Sequence, residues 1–235
     1  VTWADWAFDT AAVTGVVGAL GGLLVPEVIG RLPEPPEPAA DKQPYADIAR
    51  SPGLRWRSAL VSGVASAGTG AAVGWSWSLT FLVYLGVVGT ALAVIDWRTR
   101  LLPTKLVAPS YLVVGALVLL AAGLERSDDD LLRSLLGWLA AGGVFWLLWR
   151  IYPKGMGYGD VRLAGVLGLA LGYLGWGELL VGVYSGFVLG AVVGTLLSLL
   201  RLVDRKAYPF GPFMLVGAWL GVLAGPWVSR VYLGG

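Results

Sequence analysis

Apolar runs, cut by charges and prolines, recur eight times along the chain, near 5–25, 57–75, 78–96, 105–124, 131–150, 161–176, 178–201 and 209–230. Runs of roughly 16 to 24 residues match the hydrocarbon thickness of a bilayer when wound as α-helix. Lipid offers no partner to a backbone N–H or C=O, so each run must satisfy its own, and a helix does that. Only 14% of the chain is charged and 57% is hydrophobic, against about a quarter charged in ordinary soluble domains. The expected fold is all-α: a polytopic transmembrane helix bundle of about eight spans.

Charge gives the bundle a direction. With the N-terminus outside, fourteen of the seventeen Lys and Arg residues fall in cytoplasmic loops, from Arg31 and Lys42 through Arg98, Arg100 and Arg162 to Arg201, Arg205 and Lys206. Arg126, Arg133 and Arg230 stay outside with Asp128, Asp129 and Asp130, as the positive-inside bias requires. Asp5 and Asp9 stand where a cleaved signal would be basic, so residues 1–25 read as a first transmembrane anchor that is retained. Residues 26–56 hold seven of the thirteen prolines and read as an extended cytoplasmic loop, either a linker or a docking site. Residues 57–235 then form the transmembrane core. Gly182, Gly186, Gly190 and Gly194, and then Gly217, Gly221 and Gly225, recur at four-residue spacing. Such stripes suit close helix packing and are thin enough to leave room for a substrate helix. Trp3, Trp6, Trp97, Trp149, Trp176 and Trp227 lie near span ends, as interfacial anchors do.

The chain has no Cys and no His. That removes thiol and imidazole catalysis, disulfides and thiolate zinc sites, and no metal site is expected. A net charge of +2 is too slight to argue for nucleic acid. Acid–base chemistry falls to Asp, Glu, Lys or Tyr.

An ionisable group at membrane depth is costly and is by default a functional candidate. Asp96 closes the third run before Trp97-Arg98-Thr99-Arg100, and Asp160 ends Gly157-Tyr158-Gly159-Asp160, between Lys154 and Arg162. Both fall on the cytoplasmic side of the charge-derived topology. Each also has a plainer reading: Asp96 paired with Arg98 or Arg100 at the interface, Asp160 as the N-cap of the sixth span. If the two meet, they can share a water and one proton, because like charges so close cannot both ionise. The ionised carboxylate takes a proton from water as it attacks a peptide carbonyl, and the protonated one polarises the carbonyl oxygen. Gly155, Gly157 and Gly159 bare the backbone beside Asp160, for close approach or positive φ. Pro103 and Thr104 break the chain ahead of the fourth span. Glu178 is placed in a short outer loop, and Asp204 in a surface pair with its basic neighbours.

Three stretches, in order, resemble the type IV prepilin peptidase family, membrane aspartyl proteases of the Gly-x-Gly-Asp class. They are Asp96-Trp97-Arg98-Thr99-Arg100-Leu101-Leu102-Pro103, Gly155-Met156-Gly157-Tyr158-Gly159-Asp160-Val161-Arg162-Leu163 and Tyr208-Pro209-Phe210-Gly211-Pro212-Phe213. The resemblance covers about residues 57–230. It implies an endopeptidase that cuts the short basic leader from type IV prepilins or pseudopilins at the cytoplasmic face of the bacterial inner membrane. Asp96 and Asp160 would be the catalytic pair. Gly157, Gly159 and Arg162 would belong to the active-site loop, and Pro103, Pro209, Phe210, Gly211 and Pro212 would support it. The implied partners are the substrate helix, the bilayer, and the pilus or secretion machinery.

The chain also departs from the family pattern. Many members carry a Cys-x-x-Cys loop linked to N-methylation of the new N-terminus with S-adenosylmethionine. This chain lacks every Cys, so the peptidase is expected to need no cofactor, and S-adenosylmethionine enters only if methyl transfer is retained. Arg162 stands where Lys is usual, and Thr104 where Asp or Asn is common. Presenilin-like enzymes differ in having Tyr before the first Asp and a late Pro-Ala-Leu; here Ile95 and Pro209-Phe210-Gly211-Pro212 occupy those places. Outside the enzymes, the alternative is a membrane transporter or pilus-assembly scaffold whose carboxylates relay protons or hold structure. A transporter more often shows midplane charges and an inverted repeat, and the chain has no clear internal repeat.

Overall fold

The structure, a computed structural model, describes residues 7–34, 42–200 and 209–233. Trp3, Asp5, Trp6, the prolines within 35–41, and the loop 201–208 with Arg201, Asp204, Arg205, Lys206 and Tyr208 lie outside the described residues.

Regular structure among the described residues is entirely helical. In chain order it comprises α1 (Phe8–Gly22), α2 (Val25–Gly30), α3 (Tyr45–Ala49), α4 (Leu54–Val73), α5 (Leu79–Thr99) and α6 (Thr104–Glu125). Then follow α7 (Asp128–Ile151), α8 (Tyr158–Leu174), α9 (Trp176–Leu199) and α10 (Gly211–Val228), which runs into a π-helical turn, Ser229–Leu233. Among the described residues six helices are long and apolar enough to cross a membrane: α1 continued by α2, then α5, α6, α7, α9 and α10. The chain is a multi-pass membrane protein.

The apolar runs at 57–75 and 161–176 became α4 and α8, which fall outside those six for physical reasons. Along α4, Ser58, Ser62, Ser66 and Thr69 are buried, which lowers its hydropathy. Thr14 Oγ1 donates to Ser66 O at 2.9 Å and Ser62 Oγ to Thr90 Oγ1 at 2.9 Å, so this polar seam is tied to α1 and α5. The 17 residues of α8 are buried almost throughout from Asp160 to Tyr173. Protein, rather than lipid, surrounds α8.

Small residues set the helix contacts. A Cβ on Gly18 would lie 2.6 Å from Ser62 O, and one on Gly137 2.6 Å from Gly168 O, so α1–α4 and α7–α8 touch backbone to backbone. The two glycine stripes predicted from sequence face one another. A Cβ on Gly217 would meet Gly182 O at 2.6 Å, and one on Gly221 would meet Gly182 Cα at 2.9 Å. The space expected there for a substrate helix is therefore filled, α9 by α10.

Parts of the Pro-rich stretch also fold. Val25, Ile29, Tyr45 and Ile48 bury themselves with Leu54 against Ala91 and Ile95 of α5. Gln43 Oε1 accepts from Arg98 Nη1 at 2.9 Å. This small layer sits on the last turns of α5, the same turns that carry Asp96.

Candidate active site

Asp96 belongs to the inward face of α5, with Leu92, Ile95 and Thr99, and is only 4% exposed. Arg100 then takes a left-handed conformation (φ 55°) that ends the helix, its N–H bonding Asp96 O at 2.7 Å. The chain runs through Leu102 to Pro103, which is the N-cap of α6. A proline costs nothing there, because no helical bond needs its missing N–H.

The side chain of Asp96 turns away from its own helix. Oδ2 accepts the buried N–H of Gly211 at 2.9 Å. Gly211 is the first residue of α10, where Pro212 supplies a φ already suited to helix. Buried Pro209 precedes it, and Phe210 packs its ring 6.2 Å from that of Phe145 and 5.6 Å from that of Phe187. These contacts fix where α10 begins and so aim its first N–H, at the electropositive end of the helix, toward the carboxylate. The pairing with Arg98 or Arg100 expected from sequence is replaced by this bond. Among the described residues the two ion pairs are Arg55–Glu27 and Arg133–Asp130.

Asp160 is the third residue of α8, and Gly157 is the N-cap. The carboxylate reaches back one turn, Oδ2 accepting the N–H of Gly157 at 3.1 Å. This is half of a capping box, the other half being impossible without a side chain at Gly157. Among the described glycines left-handed φ occurs at Gly53 and Gly74 but not at those near Asp160. Their use is space instead. A Cβ on Gly159 would lie 2.8 Å from Leu102 Cβ, and Gly155 packs against the ring of Tyr152.

Leu102 joins the two halves. Its Cβ presses on Gly159, and its Cδ2 would be 3.2 Å from a Cβ on Gly211. Around it Asp96 and Asp160, 4% and 8% exposed, come close enough for the charge on Asp96 to act on Asp160. Each carboxylate has one hydrogen bond among the described residues, through Oδ2 to a main-chain N–H. Neither has a cation beside it among the described residues.

Arg162 points away from the carboxylates. Its guanidinium lies 4.9 Å from the centre of the Tyr158 ring and donates to Thr104 Oγ1, while its carbonyl accepts Tyr111 OH at 2.7 Å. It pins the start of α8 to the start of α6. Sequence reasoning missed Leu102 and Tyr111, since a leucine and a tyrosine in an apolar chain carry no signal of position. Glu178 is not in an outer loop. It is the third residue of α9, 8% exposed, its Oε2 without a hydrogen-bond partner among the described residues, at the end of α8 opposite Asp160.

A sequence model of the type IV leader peptidase family matches residues 82–199, half of the chain, including Asp96 and Asp160. A "prepilin leader peptidase/N-methyltransferase" from Stutzerimonas stutzeri is 34% identical over 163 residues, covering 68% of this chain and 55% of the relative. Proteins of the same name from Pseudomonas aeruginosa and Aeromonas hydrophila are 33% and 35% identical, over 68% and 67% of this chain and 54% and 53% of their own lengths. The chain thus spans about half the length of the curated relatives it matches. No solved structure matches it.

Proposed function

This chain belongs to the type IV leader peptidase family, and on that premise we propose that it is a membrane-embedded aspartyl endopeptidase cleaving leader peptides of type IV prepilins or pseudopilins. One observation carries the proposal. Two carboxylates 64 residues apart in sequence, buried and without a counter-cation among the described residues, converge around Leu102 from separate helices. Burying a charge unpaired costs several kcal/mol, which a purely structural role does not repay.

The chemistry follows from the pairing. Asp96 and Asp160 hold one proton between them. The ionised member removes a proton from water as oxygen attacks the scissile carbonyl. The protonated member donates a hydrogen bond to the carbonyl oxygen and then passes its proton to the leaving nitrogen. Gly211 and Gly157 N–H groups hold one oxygen of each carboxylate, which leaves the other oxygen of each for water and substrate. Gly159 with Leu102, and Arg162 with Thr104, keep α8 against α6. Pro103, Pro209, Phe210 and Pro212 place the helix starts.

The side of the membrane is read from charge. Arg57, Arg98, Arg100, Lys105, Lys154 and Arg162 stand at the dyad end, whereas Arg126, Arg133 and Arg230 stand at the other with Asp128, Asp129 and Asp130. By the positive-inside bias the dyad faces the cytoplasm of a bacterial inner membrane, with α2 and α3 beside it and the pilus or secretion machinery within reach. A transporter would place its carboxylates near the midplane; these lie at helix ends.

Methyl transfer is a separate question. A hollow of about 450 Å³ between α2, α3 and the start of α4 is lined by Glu27, Arg50 and Arg55 among mostly apolar neighbours. Glu27 is already paired with Arg55. The lining is net positive, and S-adenosylmethionine sets a sulfonium and an ammonium against one carboxylate, so the hollow has no free acid for either cation among the described residues. That lining does not fit the cofactor, and no methyl-transfer step is assigned to it.

The test is cleavage of a type IV prepilin by the purified protein in proteoliposomes, read as a mass shift. Asp96→Asn and Asp160→Asn should each abolish cleavage while inserting and melting like wild type. Full cleavage by either variant overturns the dyad.

A further inference from the structure

A groove of about 470 Å³, almost wholly apolar, runs between α4, α5, α8 and α10. We propose that it seats the apolar segment of the substrate and delivers the peptide bond between that segment and the leader to the two carboxylates. This rests on the peptidase reading given above.

The register of three helices carries the argument. On α5 the groove is lined by Gly89 and Ala93, and Asp96 follows at seven and three residues, on the same face. On α8 it is lined by Leu167 and Leu171, seven and eleven residues after Asp160. On α10 it begins at Pro212, directly after the glycine that holds Asp96, and continues through Leu215 and Ala218. All three faces that form the groove therefore run into the site. The lining of α5 from Leu82 to Ala93 measures about 16 Å at 1.5 Å per residue. That length accommodates one face of about eleven helical residues, half of a membrane-spanning segment.

The groove also opens sideways to lipid. Leu60 and Val64 of α4 and Val216 of α10 form its rim and are 67%, 55% and 48% exposed. A helix already in the bilayer can enter without leaving it. Register decides between a polypeptide and a lipid as occupant. Among the described residues no Lys or Arg lines the groove to hold a phosphate, and the faces of α5, α8 and α10 lead to the two carboxylates rather than to the basic residues around them. An occupant that continues past the groove along these faces brings its next groups to Asp96 and Asp160, where a peptide supplies neutral amides.

The absence of native Cys makes the test direct, since any introduced thiol is unique. Val64→Cys and Val216→Cys would be compared with Leu112→Cys and Leu180→Cys, which face lipid away from the groove. All four are made in full-length protein carrying Asp160→Asn, in proteoliposomes, with a type IV prepilin bearing one Cys in its apolar segment. The expected result is at least tenfold more disulfide from the groove pair than from the control pair. In the active protein, Val64→Trp and Val216→Trp should slow cleavage of that prepilin at least tenfold. Both should leave cleavage of a short leader peptide without the apolar segment within twofold. Equal crosslinking from all four positions, or from none while the unmodified protein cleaves the prepilin, overturns the groove and leaves the peptidase reading intact. Failure of the unmodified protein to cleave any prepilin or leader peptide overturns the peptidase reading itself.

Discussion

Replacing Gly211 by Ala puts a methyl 2.8 Å from Asp96 Oδ2, about 0.5 Å inside van der Waals contact. The helix should accept the change. Gly211 has no positive φ, and as the first residue of α10 it gains helix propensity on becoming Ala. The cost falls on the carboxylate. Shifting Oδ2 by the required distance stretches a 2.9 Å hydrogen bond to roughly 3.4 Å, past its effective range. A hydrogen bond to a charged group contributes about 1.5–3 kcal/mol, and each 1.4 kcal/mol of barrier is about tenfold in rate. Gly211→Ala should therefore lower kcat by roughly ten- to a hundredfold, with KM within about twofold, because the groove that binds the substrate is left as it was. The assay is initial-rate cleavage of a prepilin in proteoliposomes across substrate concentrations, with thermal melting of the same samples. Melting should stay within about 2 °C of wild type. A kcat near wild type, or a loss of rate that tracks a loss of folded protein, would refute the idea that this N–H positions Asp96.

Gly159→Val should drive a side chain into Leu102 Cβ, 2.8 Å from the added Cβ, and reduce cleavage at least about tenfold; Leu102→Gly, which removes that Cβ, should restore part of it in a double-mutant cycle. Arg162→Lys keeps the charge and the reach toward Thr104, so cleavage should stay within about threefold, whereas Arg162→Ala loses the Tyr158 stack and should destabilise by about 1–2 kcal/mol in melting. Gly217→Val meets Gly182 O and Gly186 Cα, both at 2.6 Å, backbone that cannot rotate away, and should cost about 3 kcal/mol or more, seen as aggregation on gel filtration.

The helical fold was legible because length and apolarity are read directly from the chain, and a bilayer leaves little else for such runs to become; the number of spans was not, since among the described residues six helices rather than eight are long and apolar enough to cross. Boundaries were less legible. The sixth run is expected to reach 176 and Glu178 to lie in a short outer loop, yet α8 ends at Leu174 and α9 begins at Trp176, so the turn is one residue and Glu178 is helical and buried. The pairing of Asp96 with a neighbouring arginine was a sound local expectation. A partner 115 positions away displaced it, and no local pattern announces that distance. Proline content hid the apolar spacing of Val25, Ile29, Tyr45 and Ile48, which is what folds that stretch onto α5. The N-cap reading of Asp160 failed by one turn, because the capping half supplied by an acid at the third position resembles, in sequence, a cap of its own.

The two positions at which the chain departs from the pattern it resembles prove to touch. Thr104 stands where an acid or amide is common and Arg162 where Lys is usual, and the guanidinium of one donates to the hydroxyl of the other. The long side chain of Arg162 reaches the short hydroxyl of Thr104 and ties the start of α8 to the start of α6. That contact matters because it fixes Leu102, just before α6, against Gly159, near the start of α8. Asp160 takes its position from α8, and Asp96 takes its own from the first N–H of α10, which also abuts Leu102. The separation of the carboxylates is thus set by how three helix starts pack, not by the residues beside either Asp. This explains why Arg162 bears on the carboxylates through helix packing and not by direct contact. It also explains why a single methyl at Gly211 or Gly159, where backbone meets backbone or carboxylate, is the more damaging change.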